Sequence, residues 1–445
     1  MVKITIVGGG SSTFTPQLMR LFIGSETLRG STVTLMDIDR HRLEVMGRLS
    51  GRLVEREGAD LKVEATTDRR ESLEGTDFVI TAISVGGNEA WEKDIEIPAK
   101  HGVYMPVADS VGPGGMMRAF RHIPVLLGMC RDLEEVSPGA WVLNYTNPVT
   151  ANTMAMNRHS RIKAVGLCTC SSQPRTGRNL KPQTGFEAGD LRLPAPAAGL
   201  NHCAAILELK TRDGEDALRR ARETATHPIV RWCLANYGVL PYCPSHWVEF
   251  FPSLCRLEDE YRGHLQGLRM KHGTRVHDMT KQDERARRWE TLVERMSRGE
   301  DEISSLAALP VDEAIEVVRI MEALIEGRND IHVVNVPNKG GAVGNMPEEA
   351  VVEVSCVVGA YGIRPIRVGE LPKHLAATLS NHVRVQELTV EAAATGDRQT
   401  ALEAFLQDPQ ISARLTPEET ERLLNEMLEA HAGHLPQFNP PTQAA

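Results

Sequence analysis

A short apolar run that ends in consecutive glycines constrains this chain more than any other feature. Residues Val2–Val7 read as a first β-strand, Gly8-Gly9-Gly10-Ser11-Ser12-Thr13 follows directly, and a helical pattern begins at once. That order suits a nucleotide. Gly8 allows the tight turn, Gly10 lets the backbone approach a pyrophosphate, and the helix start at Ser11 and Thr13 offers N–H groups to phosphates. Thr13 stands where a third glycine often sits. Because a turn alone explains a glycine triplet, the flanking strand and helix carry the argument. Asp37 supplies a second signal. It ends the next expected strand, where an acid accepts hydrogen bonds from ribose hydroxyls and repels a 2′-phosphate; a solvated strand-end acid is the plainer alternative. The expected ligand of Gly8, Gly10, Ser11, Thr13 and Asp37 is therefore NAD rather than NADP.

The rhythm of the first 170 residues supports this. Strands are expected at Val33–Asp37, Lys62–Ala65, Phe78–Ile83, Ala140–Asn144 and Lys163–Leu167, with helical spacing over Arg40–Glu57 and Met116–Val136. Such alternation means an α/β fold, a Rossmann-type doubly wound parallel sheet. It breaks at Lys181–Gly199, where Pro182, Pro194 and Pro196 mark a connection. Two domains follow: residues 1–190 bind the dinucleotide, and residues 191–445 form a mixed α+β domain for substrate, metal and oligomerisation. The second carries expected strands at Cys203–Lys210 and Ala350–Val358, a helix-rich stretch between them, and helices near His382–Ala394 and Pro417–Ala430. The proline-rich tail Leu435–Ala445 reads as frayed.

Composition excludes several functions. A net charge of −9 lacks the basic face that nucleic acid requires. No apolar run approaches the ~18 residues of a membrane span, and the first one is too short for a secretory signal. Eight cysteines without a disulfide-framework spacing point to the reducing cytoplasm. The chain is expected to work there as a homo-oligomer on a small molecule, without nucleic-acid or membrane partners.

Further short stretches lie in a definite order: Met36-Asp37-Ile38-Asp39, Val85-Gly86-Gly87, Asp109-Ser110-Val111-Gly112-Pro113-Gly114-Gly115 and Arg118–Pro124. Then come Asn144-Tyr145-Thr146-Asn147-Pro148, Gly166-Leu167-Cys168, Gly199-Leu200-Asn201-His202 and Val336-Pro337-Asn338. With Gly8–Thr13, they resemble the NAD-dependent glycosidases of glycoside hydrolase family 4 over nearly the whole chain. Order and spacing, not any single stretch, make the resemblance specific.

The resemblance implies an architecture like that of lactate and malate dehydrogenases and an uncommon route to glycoside hydrolysis. Bound NAD transiently oxidises C3 of the sugar, a base removes the acidified C2 proton, the C1 leaving group is eliminated, and water adds. A divalent metal, usually manganese, polarises the C2 and C3 oxygens. Cys168 and His202 fall where the family keeps its metal ligands, and Asn147 matches a residue that contacts substrate hydroxyls. Read without the family, Cys168 is a packed thiol ending a strand, His202 a lone imidazole, and Asn147 a turn residue before Pro148.

Departures from the family pattern narrow the substrate and blur the catalyst. Thr169 stands where members often carry Asp, Asn or His, and it has no useful pKa for acid catalysis. Trp91 stands where many members carry an arginine that assists substrate or phosphate binding, which argues against a phosphorylated sugar. Asp109, at a substrate-contacting position, replaces the glutamate of the phospho-glycosidases. It resembles the branch with α-galactosidases and α-galacturonidases, so an unphosphorylated α-galactoside or α-galacturonide is the expected substrate. In Tyr237–Pro252, His246 and Glu249-Phe250-Phe251-Pro252 resemble the same branch, yet Pro244 stands where an Asp would precede the histidine. His246 and Tyr242 are the titratable candidates for catalysis, with core or loop roles as the competing reading. Cys170, Cys203 and Cys243 read as structural, with Cys170 left open as a third soft ligand. Two rival functions stay open: a dehydrogenase of a hydroxy acid or sugar, and a catalytically inactive NAD-binding sensor.

Overall fold

In the computed structural model, which describes residues 1–255, 279–303 and 314–438, six parallel strands form one half of a single sheet. They are β1 (Lys3–Val7), β2 (Ser31–Met36), β3 (Leu61–Thr66), β4 (Phe78–Thr81), β5 (Trp141–Asn144) and β6 (Lys163–Gly166). Their spatial order β3-β2-β1-β4-β5-β6 is that of a doubly wound nucleotide-binding sheet. Period-two alternation explains why both faces are covered. Phe78, Ile80, Leu143 and Val165 point into one apolar core, while Val79, Val142 and Ala164 point into another.

The connecting helices are α1 (Phe14–Ile23), α2 (Arg40–Glu57), α3 (Arg69–Leu73), α4 (Gly87–Lys100), α5 (Gly112–Val136) and α6 (Val149–His159). Asp39 caps α2 by accepting from Arg42 N–H, and Gly58 ends it at φ 58°. Helix α5 begins four residues before its expected start because the glycines there act as contacts rather than breakers. A Cβ on Gly114 would lie 2.7 Å from Asp94 O, and one on Gly115 2.7 Å from Ser110 C. The first turn of α5 thus lies directly on the backbone of Ala108–Ser110. A buried ion pair locks the same region: Arg121 donates to both Asp94 oxygens, at 2.9 and 2.6 Å, and His431 Nε2 lies 3.1 Å from Asp94. Breaking such a pair costs roughly 3–5 kcal/mol.

The sheet does not stop at the expected boundary between domains. β7 (Ala197–Leu200), β8 (Cys203–Ile206), β9 (Leu240–Pro241), β10 (Asp330–Pro337), β11 (Val351–Gly359) and β12 (Gly362–Pro365) extend it with antiparallel pairings. The seam is β6 against β10, through the pair Gly166–Asn335. There a Cβ on Gly166 would meet Val149 Cγ1 at 2.3 Å and Asn335 Cβ at 2.9 Å.

Several expected bounds shift. The strand expected at Cys203–Lys210 ends at Ile206, and the helix expected near His382–Ala394 runs from Lys373 to Thr395. β7 lies inside the proline-rich connection and is built from alanine and glycine, so neither composition nor alternation announces it. Arg40–Glu57 and Pro417–Ala430 are helices with the expected limits. Part of the expected helix-rich stretch, and the tail from 439 onward, lie outside the described residues. Among the described residues no helix is long and apolar enough to cross a membrane.

Candidate active site

The glycine turn after β1 sits at the carboxyl end of the parallel strands, as the fold requires. Gly8 has φ 97°, and a Cβ there would lie 2.4 Å from Ala82 O. Asp37, just past β2, accepts from Gly10 N–H at 2.9 Å and from Asp39 N–H at 3.0 Å. A Cβ on Gly10 would collide with that carboxylate at 2.8 Å. Ser11 Oγ accepts from Phe14 N–H at 3.1 Å at the start of α1, and Thr13 is exposed beside it.

A second group gathers around Asp109, in the segment that α5 packs upon. Ser110 Oγ donates to Asp109 Oδ1 at 2.7 Å, and Asn147 Nδ2 donates to Oδ2 at 3.0 Å. Nδ1 of His202 and Nδ1 of His246 each lie 3.5 Å from Oδ1. Burial opposes a charge on Asp109, yet His246 and His202 hold its carboxyl well below the usual carboxylate range. Burial likewise disfavours a charged His246, but Asp109 outweighs it and raises the imidazole to about 9. Asn147 Oδ1 is buried without a partner, an acceptor left for a bound hydroxyl.

His202 occupies the two-residue turn between β7 and β8 with φ 69°, a left-handed conformation that a side chain with a Cβ disfavours. Ser110 Oγ lies 2.6 Å from His202 Nδ1. Since the hydroxyl proton goes to Asp109, the oxygen accepts from Nδ1–H, and Nε2 keeps the ring's lone pair. His122 supports the opposite wall. Its Nε2 accepts from Val85 N–H at 3.0 Å and its Nδ1 donates to Asn147 O at 2.6 Å. Burial, then Arg118 and Arg121, hold His122 well below its usual value, which keeps it neutral for that bridge.

Metal-ligating atoms converge in three linked groups among the described residues: Cys168, Cys170 and Cys243; His202, Cys243 and His246; and Asp109, His246 and Glu249. Within each group the atoms lie within 4.8 Å of one another. Cys168 and His202 share none of these groups directly; Cys243 belongs to a group with each.

Tyr242 is buried and its hydroxyl donates to Glu353 Oε1 at 2.6 Å. Burial and the Glu353 charge push its phenol well above the usual value. Pro244 opens the short helix Pro244–Trp247 that carries His246, a position where its missing N–H costs nothing. Thr169 is exposed, and Trp91 Nε1 donates to Val107 O at 2.6 Å.

Glu249 has no forerunner among the expected site residues. Its Oε1 accepts from Val107 and Ala108 N–H at 2.6 and 2.8 Å, its Oε2 is buried without a partner, and burial, then Asp109, raise it to about 7. Its place three residues after His246, one helical turn on, and at the head of the run Glu249–Pro252 hints at it in the sequence.

Comparison with known proteins accounts for this arrangement. A family model described as family 4 glycosyl hydrolase matches residues 3–174, and the model of that family's C-terminal domain matches residues 197–411. The alpha-galactosidase of Bacillus subtilis is 33% identical over 449 residues, covering 98% of this chain and 100% of that protein. A probable 6-phospho-beta-glucosidase of the same organism is 31% identical, covering 98% of each chain. Its alpha-galacturonidase is 28% identical, covering 96% of this chain and 97% of that protein. Among solved structures, the putative glucosidase lplD of B. subtilis aligns with a TM-score of 0.80 at 26% identity, covering 96% of this chain and all of that one. A 6-phospho-alpha-glucosidase from gut microorganisms, in complex with NAD and Mn²⁺, gives 0.80 at 23% identity, covering 98% and 99%. With both halves matched and a relative of one-third identity aligned end to end, this chain is a member of glycosyl hydrolase family 4, an enzyme of glycosidic bonds.

Proposed function

We propose that this enzyme hydrolyses an unphosphorylated α-galactoside or α-galacturonide, with NAD and a divalent metal such as Mn²⁺ as cofactors. One observation carries the reading: Asp109 is hydrogen-bonded to Asn147 and, through Ser110, linked to His202, with His246 Nδ1 3.5 Å from the same carboxylate. Alpha-galactosidase and alpha-galacturonidase relatives favour that substrate class. The phospho-glucosidase relative at similar identity does not, but Trp91 supports the choice, since its ring offers a phosphate no charge where an arginine would.

The residues fit both cofactors. Gly8 and Gly10 let the loop fold closely against Ala82 O and Asp37 at the strand ends, where this fold seats a pyrophosphate, and Asp37 is placed for ribose hydroxyls. Cys168 and His202 offer a thiolate and an imidazole lone pair, a donor set suited to a first-row ion. When bound, the dinucleotide supplies reversible oxidation at C3 of the sugar, and the ion supplies Lewis-acid polarisation of the neighbouring oxygens.

The chain's own residues do the positioning and move the protons. Asn147 Oδ1 accepts from a sugar hydroxyl, and the ionised Asp109 holds Asn147 and both imidazoles in register. His246, protonated at neutral pH beside Asp109, is matched to protonating the leaving oxygen. Glu249, raised to about 7, has the value a base for the C2 proton needs. Tyr242 serves as a support through Glu353 rather than as a proton carrier. A cytoplasmic homo-oligomer goes with this reading, and the eight free thiols suit a reducing compartment. The nucleotide half then comprises residues 1–190 and the substrate half 191–445.

A panel of nitrophenyl glycosides tests the proposal, assayed with and without NAD⁺ and Mn²⁺ while nitrophenol and NADH absorbance are followed together. The expected result is NAD⁺-dependent phenol release without net NADH. Accumulating NADH would mark a dehydrogenase, and silence at both wavelengths an NAD-binding sensor.

A further inference from the structure

Five of the eight cysteines behave as ordinary buried hydrophobes. Cys203, Cys233, Cys255 and Cys356 lie in one apolar cluster and Cys130 in another. Cys168 and Cys243, both buried, belong to none, and Cys170 only borders the third. These three meet instead with one another. Cys243 Sγ lies 3.3 Å from Cys170 Sγ, and Cys168 Sγ accepts from Cys170 N–H at 3.4 Å. Packing gives no reason for grouping three weak donors in this way.

We propose that Cys168, Cys170, Cys243 and His202 form a thiolate-rich, four-coordinate centre that takes a soft first-row ion of the zinc type in preference to Mn²⁺. The inference rests on the reading that a divalent ion binds here; it deepens that reading by naming the ligands and revises the class of ion, and sugar oxygens then reach the ion as its coordination expands beyond four. Tetrahedral coordination at a metal–sulfur distance of about 2.3 Å separates neighbouring ligand atoms by about 3.8 Å. The three Sγ atoms, all within 4.8 Å of one another, need only small rotations to reach it. Cys243 also lies in the group with His202, whose Nδ1 is held by Ser110 so that Nε2 is the free ligand atom. His246 stays with Asp109.

The four ligands come from three segments, and one buried carboxylate ties two of those segments together. Glu353 on β11 accepts from Tyr242 Oη, next to Cys243, and from Asn201 Nδ2, next to His202, at 2.6 and 2.7 Å. Asn335 Nδ2 donates to the same carboxylate at 3.0 Å. Cys168 lies two residues past β6, and Cys170 follows in the 3-10 turn Thr169–Ser172. Three thiolates select against Mn²⁺, a hard ion at the weak end of the affinity order for such ligands.

Cobalt substitution of the whole enzyme reads the ligand set directly. The reduced protein is loaded with Co²⁺ alone and its spectrum recorded, for wild type, Cys170→Ser, Cys243→Ser and Cys168→Ser. Zn²⁺ and Mn²⁺ affinities are measured by competition, and NAD⁺ affinity reports folding. We expect strong thiolate-to-cobalt charge transfer with tetrahedral visible bands. Each serine variant should lose about one third of that charge transfer and weaken Zn²⁺ at least about 100-fold, with NAD⁺ binding retained. Wild type should bind Zn²⁺ at least about 100-fold more tightly than Mn²⁺. A wild-type spectrum without strong charge transfer overturns the proposal even if the variants do not fold. So does a spectrum changed only by Cys168→Ser, which would leave a metal at Cys168 and His202 and the proposed function intact. Failure of wild type to bind any ion would sink both.

Discussion

His202 and His246 stack with their ring centroids 3.8 Å apart and 29° between planes, and both Nδ1 atoms face one Asp109 oxygen. Asp109 is the anion that both rings face, and it balances the charge on His246. Asp109→Asn keeps the shape and removes the charge. It should lower kcat/KM at least about 100-fold, since both rings lose their electrostatic partner, while the melting temperature moves by only a few degrees. Steady-state kinetics beside a thermal melt checks both halves, and a variant with normal turnover would remove Asp109 from the mechanism.

The left-handed backbone at His202 separates a functional side chain from a structural one. Glycine adopts φ 69° without penalty, so His202→Gly relieves roughly 1 kcal/mol of backbone strain. We expect unchanged or slightly raised thermal stability, lost metal binding and turnover reduced to background. A destabilised protein whose residual activity follows its folded fraction would make His202 a structural residue.

Cofactor choice depends on Asp37. Binding should strongly favour NAD⁺ over NADP⁺, and Asp37→Ala should weaken NAD⁺ about tenfold or more while leaving NADP⁺ little changed. Titration calorimetry with both dinucleotides measures this, and equal wild-type affinities would contradict the assignment.

Proton traffic at C2 leaves an isotopic record. Hydrolysis in D₂O should give a product with deuterium at C2, because solvent resupplies the proton removed there. Product carrying only protium at C2, read by NMR, would leave direct displacement as the better account.

Acid sensitivity should arise partly at His382, whose Nε2 donates to Phe250 O at 2.9 Å deep in the core. Burial lowers this imidazole to about 4, against about 6.5 in an unfolded chain. The unfolded state therefore binds the extra proton first. Stability is fully present above pH about 6.5 and is lost toward pH 4, by up to about 1.4 kcal/mol per unit. His382→Gln should flatten denaturant midpoints across that interval; a slope equal to wild type would point to other groups.

The parallel half of the fold is legible in the sequence because its strands are apolar or, at β3, alternating runs bounded by turn residues, and Asp37 is legible because it follows one. β7, made of Ala197-Ala198-Gly199-Leu200, carries no such pattern and owes its place to pairing with β8 and β11. The same contrast holds at the site. Cys168 and His202 stand in recognisable stretches and Glu249 opens the run Glu249–Pro252, whereas Cys243 sits directly before Pro244, where the segment departs from the family. What joins them is tertiary: Glu353, distant in sequence from both, fixes Tyr242 and Asn201, and through them Cys243 and His202. No spacing rule along the chain reports a contact of that kind.

Gly166 marks where the two halves of the sheet meet. At the seam where parallel strands meet antiparallel ones, a single methyl group would strike Val149 and Asn335. The two halves therefore share one continuous sheet, paired edge to edge rather than joined by a linker. A larger residue at this one position would press β6 away from β10, and Cys168, two residues past β6, would shift with it relative to the site residues that the antiparallel half carries.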